Sequence, residues 1–106
     1  MAMNRSPVQT KRDAVRVLAT HGRAIRSLGV KRLGLFGSFL HGTQKPESDV
    51  DLLVDFDPRK KTFDNYFELS VLLEQILGRR IELVTRQSLS PILGPYILNE
   101  VEDVQI

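Results

Sequence analysis

The amino-acid sequence predicts an α+β domain, an α/β sandwich in which a small mixed β-sheet is flanked by helices. Two long segments, at about residues 10–29 and 62–78, place apolar residues at helical spacing. Three apolar runs of strand length, 30–36, 49–56 and 80–85, alternate with these segments. The loop between the first two runs is too short for an ordinary crossover helix, which favours an antiparallel pair.

Length and composition place further bounds on the chain. Residues 1–106 fit one domain, with 42% hydrophobic and 26% charged residues. The absence of cysteine excludes disulfide and thiol chemistry and is compatible with a reducing cytoplasm, the predicted location. No apolar run approaches the roughly 20 residues of a membrane span. The net charge of +2 is too small to indicate nucleic-acid binding by itself.

The first helix has two candidate starting points. Ser6 before Pro7 resembles an N-cap followed by a first helical residue, while Thr10 with Asp13 resembles a capping box. Gly29 is the expected C-terminal cap. One predicted stripe carries the apolar residues of this helix: Ala14, Leu18, Ile25 and Leu28.

The second half of the chain continues the alternation. Thr62 is the predicted cap of a second long helix that Gly78 ends. In the following strand Glu82 lies on the face opposite to its apolar neighbours. A last short helix is expected from Pro95 to about Glu102. The predicted buried face of the second long helix comprises Tyr66, Leu69, Leu72, Leu73, Ile76 and Leu77.

One motif dominates the sequence. Gly37-Ser38 follows the first strand, and ten residues later Asp49 and Asp51 stand one residue apart at the start of the second strand. In a strand the two aspartates project on the same side, about 7 Å apart. The intervening and following apolar residues point into the core: Val50, Leu52 and Val54.

The residue types in this motif indicate a particular chemistry. Neighbouring carboxylates repel each other unless a cation lies between them, and oxygen ligands suit Mg²⁺. The backbone N–H groups of the Gly37-Ser38 turn, with the Ser38 hydroxyl, are suited to hold a phosphate. Glu82 is a candidate third carboxylate. Phosphate, metal ions and three carboxylates at adjacent strands suit phosphoryl or nucleotidyl transfer.

Simpler interpretations exist for each residue. An Asp-x-Asp pair also occurs on exposed strands and turns, although the apolar flanks and the Gly-Ser pair argue against that here. Ser38 can be a turn or N-cap serine. Glu82 can be an exposed strand residue paired with Arg80.

The segment from Phe36 to Val54 resembles the signature of the polymerase-beta-type nucleotidyltransferase superfamily. The Gly37-Ser38 pair, the ten-residue spacing and Asp49-Val50-Asp51 carry the resemblance. The chain looks most like the minimal nucleotidyltransferase branch, which supplies the antitoxins of HEPN/MNT toxin–antitoxin pairs. The resemblance implies the nucleotidyltransferase fold, a small mixed sheet with flanking helices.

The resemblance also implies roles for individual residues. Gly37 and Ser38 would contact the triphosphate of ATP, and Asp49 and Asp51 would ligate Mg²⁺. Glu82, within Ile81-Glu82-Leu83, matches the family's third carboxylate, which completes the metal site and helps to activate the attacking hydroxyl. Aspartate is common at that position in the family.

The implied activity is the transfer of AMP from ATP to a tyrosine of a partner HEPN ribonuclease, which silences this toxin. No membrane or nucleic-acid partner is expected, and homo- and hetero-oligomers both stay open. Two other functions also stay open. One is a non-catalytic antitoxin that neutralises its toxin by forming a complex. The other is a nucleotidyltransferase acting on a small molecule or an RNA end.

Overall fold

The computed structural model describes residues 6–106 as a four-stranded sheet in the order β3-β2-β1-β4, with helices packed against it. Within this part of the chain, no helix is both long enough and apolar enough to cross a membrane. The regular elements are α1 Lys11–Thr20, α2 Gly22–Ser27, β1 Val30–Phe36, α3 Ser38–His41, β2 Val50–Phe56, α4 Phe63–Leu77, β3 Ile81–Thr85, α5 Gly94–Glu100 and β4 Glu102–Asp103. Two short 3₁₀ turns lie at Pro58–Lys60 and Arg86–Ser88.

The sheet is mixed, as the sequence predicts. β1 and β2 are antiparallel, and β2 and β3 are parallel with α4 as the crossover between them. The antiparallel pairing of the first two strands is therefore confirmed. Residues 37–49, which include the four-residue helix α3, connect β1 to β2 at one end of the sheet.

The hydrophobic core lies between one face of the sheet and helices α1, α2 and α4. The three apolar residues predicted to point inwards from β2 are all buried, at 0%, 0% and 1% exposure for Val50, Leu52 and Val54. By strand alternation, Asp51 and Asp55 therefore lie on the opposite face. Four of the six residues of the predicted α4 face are buried: Leu69, Leu73, Ile76 and Leu77. The other two, Tyr66 and Leu72, are partly buried and pack against the core.

The predicted first helix is interrupted. Thr10 is the N-cap and accepts a hydrogen bond from the Asp13 amide, which decides between the two expected starts. The helix then breaks at His21, whose φ and ψ of −101° and 19° separate α1 from α2. Gly22 restarts the helix and is buried against the backbone of Ile106, where a Cβ would come within 2.6 Å. The break thus lies next to a long-range contact, between Gly22 and Ile106, that helical periodicity does not encode.

The expectation of a helix reaching Glu102 was wrong at its C-terminal end. α5 stops at Glu100, Val101 is extended, and β4 pairs antiparallel with β1. The reason lies in β1: Gly34 has no side chain, and Val101 Cγ2 fills the space, at 2.5 Å from where a Cβ would stand. The Val104 amide then donates to the Leu33 carbonyl at 2.8 Å.

Candidate active site

The candidate site lies at the end of the sheet where β1 finishes and where β2 and β3 begin. Phe36 of β1 pairs with Asp51 of β2, and Asp51 in turn pairs with Glu82 of β3. Residues that are partners across adjacent strands point to the same face of a sheet. The register therefore places the Asp51 and Glu82 carboxylates side by side, although 31 positions separate them in the sequence.

Gly37 turns the chain out of β1 directly beside Asp51. Its φ and ψ of 77° and −153° lie in a region that is essentially restricted to glycine. A Cβ at this position would overlap Asp51 Oδ2 and come within 2.9 Å of Asp51 Cγ. Residue 37 is thus glycine for two reasons, its backbone conformation and the close approach of the carboxylate.

Ser38 is the first residue of α3, a single helical turn. The amides of Leu40 and His41 both donate to the Gly37 carbonyl at 3.1 Å. The N–H groups of Ser38 and Phe39 precede these internal bonds and belong to the set that a helix start leaves without helical partners. Phe39 is fully buried and anchors the turn in the core.

The Asp51 carboxylate is in an unfavourable electrostatic environment. Burial, and after it the neighbouring negative charges of Glu82 and Asp49, together raise its pKa to about 6. Among the ion pairs of residues 6–106, none includes Asp51. Asp55, two residues along the same strand, instead pairs with Arg86 at 2.9 Å. The site therefore concentrates negative charge without a protein cation to balance Asp51.

Asp49 occupies the last position before β2 and is half-buried. It lies close enough to raise the pKa of Asp51, yet its Oδ1 pairs with Arg80 Nε at 3.5 Å. Arg80 thus pairs with Asp49 rather than with Glu82. Within the described residues, no group of three His, Asp or Glu side chains is close enough to hold a metal ion as it stands. The close grouping predicted for all three carboxylates is therefore not present while Asp49 is paired with Arg80.

Sequence reasoning missed one residue beside this site, Arg79. Its guanidinium donates to carbonyl groups of the loop that leads to Asp49, and it also lies over the Phe39 ring. The available signal was an arginine placed directly after Gly78, the glycine that ends α4 in the left-handed conformation. No sequence pattern indicates which carbonyls such an arginine reaches.

The chain is similar in sequence to known nucleotidyltransferases. A family model described as a nucleotidyltransferase domain matches residues 18–104. A protein adenylyltransferase of Thermococcus cleftensis, MntA, is 38% identical over 86 residues, which cover 80% of this chain and 86% of that protein. A Methanocaldococcus jannaschii protein provisionally named a protein adenylyltransferase is 38% identical over 96 residues, covering 91% and 95% of the two chains.

Solved structures show the same fold. One described provisionally as a minimal nucleotidyltransferase superposes with a TM-score of 0.67 at 32% identity, over 83% of this chain and 93% of the other. The crystal structure of a toxin–antitoxin with AMP-PNP superposes with a TM-score of 0.61 at 23% identity. That second match covers 91% of this chain and 73% of the other, and it establishes likeness of fold alone.

Proposed function

The chain belongs to the nucleotidyltransferase family, and from this premise we propose that it is an Mg²⁺-dependent enzyme that transfers AMP from ATP to a protein hydroxyl. The observation that carries the proposal is the contact between Gly37 and the Asp51 carboxylate, with Glu82 beside Asp51 in register. This arrangement brings a backbone turn suited to phosphate next to carboxylates suited to a cation. The proposed acceptor is a tyrosine of a partner HEPN ribonuclease toxin, so that the chain acts as an antitoxin.

The donor set fits a hard divalent cation. All the candidate ligands (Asp49, Asp51 and Glu82) are carboxylates. Burial and the neighbouring charges of Glu82 and Asp49 raise the pKa of Asp51, and a bound cation would offset this unfavourable environment of the ionised form. Asp49 would have to leave Arg80, but this pair is exposed on the arginine side, and such pairs contribute only about 0–1 kcal/mol. The chemistry supplied by bound Mg²⁺ is neutralisation of phosphate charge and a lower pKa for the attacking hydroxyl.

Different residues of this chain would bind the triphosphate and accept the proton of the acceptor hydroxyl. The turn at Gly37 and Ser38 would hold the triphosphate, with the amides of Ser38 and Phe39 directed at its oxygens. Glu82 is exposed, so an acceptor hydroxyl can approach it from solvent. In the proposed step the acceptor oxygen bonds to the α-phosphorus of ATP, and the bond from that phosphorus to the oxygen bridging to the β-phosphorus breaks. Pyrophosphate leaves with the electron pair, and the hydroxyl proton passes to the Glu82 carboxylate.

A protein acceptor is supported by the relatives. The Thermococcus cleftensis relative is named a protein adenylyltransferase and matches over most of both chains. The fold is also shared with a chain of a toxin–antitoxin crystal structure with AMP-PNP.

A non-catalytic antitoxin is the main competing proposal. The site residues argue against it, because a glycine-only backbone and an Asp51 with a raised pKa both cost folding free energy. A protein that only occludes its toxin gains nothing from either feature.

The test first looks beside the gene of this chain for a reading frame that encodes a small all-helical ribonuclease with an Arg-x₄-His motif, and uses its product as the candidate partner. The chain, Mg²⁺ and ATP are mixed with this ribonuclease, and both AMP attachment and RNA cleavage are measured. The proposal predicts AMP on a tyrosine of the ribonuclease and loss of cleavage. The double variant Asp49→Asn, Asp51→Asn should do neither. Full neutralisation by the double variant, with no AMP transferred by the wild type, would establish the non-catalytic function instead.

A further inference from the structure

Arg79 lies in the short connection between α4 and β3, at the same end of the sheet as the candidate site. Gly78, with φ of 69°, ends α4 in the left-handed conformation and turns the chain towards β3. Arg79 follows and is only partly exposed, whereas its neighbour Arg80 is 82% exposed. The turn therefore directs one arginine inwards and leaves the next in solvent.

The Arg79 guanidinium holds the loop that leads into β2. Nη1 donates to the Pro46 carbonyl at 2.8 Å and to the Ser48 carbonyl at 3.1 Å. Nε donates to the Val8 carbonyl at 2.6 Å, which ties the start of the described chain to the same group. Ser48 directly precedes Asp49, so these bonds fix the backbone from which the Asp49 carboxylate projects.

The same guanidinium contacts the other half of the site. Its central carbon lies 4.9 Å from the centroid of the Phe39 ring, a cation–π arrangement. Phe39 is fully buried and directly follows Ser38, the first residue of α3. One side chain thus contacts both the loop that carries Asp49 and the helical turn that carries Ser38.

From this geometry we infer that Arg79 is a positioning residue for the nucleotide site, and that it acts by fixing the distance between the Gly37-Ser38 turn and Asp49. The inference rests on the proposed function, because it assigns the nucleotide to that gap. Lysine cannot replace Arg79. The planar guanidinium lies with its face on the ring while its edge donates to separate carbonyl groups, and an ammonium group has no such planar face.

The test compares Arg79→Met and Arg79→Lys with two matched controls. Arg23→Met removes an exposed arginine from α2, and Ile76→Val loosens the buried face of α4 near Arg79. The measured quantities are the Kd for Mg²⁺–AMP-PNP by titration calorimetry and the melting temperature of each variant. Arg79→Lys keeps the charge and most of the aliphatic stem, so a variant that still folds is available for the comparison.

We expect both Arg79 variants to bind Mg²⁺–AMP-PNP at least about tenfold more weakly, with both controls within about twofold of the wild type. Hydrogen exchange gives a second readout without nucleotide. The Ser48 amide, bonded to the Lys45 carbonyl at 3.0 Å, should exchange faster in the Arg79 variants only. If Arg79 only stabilised the fold, the affinity for Mg²⁺–AMP-PNP would fall in proportion to the melting temperature in every variant, including Ile76→Val.

The inference would be overturned if Arg79→Met bound Mg²⁺–AMP-PNP as tightly as the wild type. It would also be overturned if Ile76→Val, at the same melting temperature as Arg79→Met, lost as much affinity. Measuring nucleotide binding and AMP transfer separately distinguishes a failure of this inference from a failure of the proposed function. A wild-type chain that binds Mg²⁺–AMP-PNP but transfers no AMP contradicts the proposed function and leaves the Arg79 comparison intact. A wild-type chain that binds no Mg²⁺–AMP-PNP contradicts both.

Discussion

The Asp51 carboxylate lies against the Cα atom of Gly37, so closely that a Cβ on residue 37 would overlap Asp51 Oδ2. The two residues belong to different parts of the motif, the turn after β1 and the start of β2. Their contact places the turn that we propose to bind phosphate and the carboxylate that we propose to bind a metal ion in one small space.

Gly37→Ala should abolish activity. The substitution introduces both a strained backbone, at about 1–3 kcal/mol, and a clash with Asp51 that displaces the carboxylate. A displacement of about 1 Å is enough to lower the rate about 100-fold. Steady-state AMP transfer and urea unfolding measure the two effects.

Gly42→Ala is the matched control for the glycine prediction. Gly42 also has a positive φ, 75°, but a Cβ there would meet no atom within 4 Å. Its substitution should therefore destabilise the fold by about 1–2 kcal/mol through backbone strain and leave AMP transfer within a few-fold of the wild type. Equal losses of activity in the two variants would show that strain alone, and not the Asp51 contact, is responsible.

Asp51→Asn should stabilise the metal-free protein at neutral pH. The folded-state pKa of about 6 exceeds the ordinary 3.8, so the folded state binds the Asp51 proton more tightly than the unfolded state. Asp51 therefore lowers the free energy of unfolding as pH rises from about 4 to 6, and this loss is complete above pH 6. Thermal melts in EDTA should show a gain for the variant at pH 7.5 and none at pH 3.5.

Asp55→Asn is the control for the Asp51 prediction, on the same face of the same strand. Asp55 pairs with Arg86 and Arg32, so its neutralisation removes favourable contacts and should not raise the melting temperature at pH 7.5. If Asp51→Asn had the same melting temperature as the wild type at pH 7.5, the burial of Asp51 and the like charges around it would have no effect on the free energy of unfolding.

Glu82→Gln should lower kcat more than it weakens nucleotide binding. The amide cannot take the acceptor proton, but the triphosphate contacts proposed for Gly37 and Ser38 remain. Glu82→Asp should retain measurable transfer, since it keeps a carboxylate on the same face of β3. Initial rates at several ATP concentrations separate kcat from KM. Full activity in Glu82→Gln would remove Glu82 from the catalytic set.

Most of the sheet could be predicted because its strands are short apolar runs bounded by turn residues. The alternation of Val50, Leu52 and Val54 against Asp51 is a local property of the sequence, and it places the aspartate on the open face. The position of Glu82 beside Asp51 was predictable only through the family resemblance, because parallel pairing depends on a crossover and not on local pattern.

The parts that sequence reasoning missed all depend on contacts between distant residues. The break at His21 is associated with Gly22 meeting Ile106, and β4 depends on Val101 filling the space over Gly34. Arg79 donates hydrogen bonds to carbonyl groups that lie more than 30 positions earlier in the chain. Periodicity and capping rules describe neighbours in sequence, so they cannot indicate such contacts.

Transfer of label from ATP tests the central claim most directly. The chain is incubated with Mg²⁺, the HEPN ribonuclease and ATP labelled either at the α-phosphate or at the γ-phosphate, and the ribonuclease is then isolated. AMP transfer predicts label on the ribonuclease from α-labelled ATP only, and none with the Asp49→Asn, Asp51→Asn variant. AMP transfer would be contradicted by label on the ribonuclease from γ-labelled ATP. It would also be contradicted if neither form of ATP left label on the ribonuclease while the chain still silenced it.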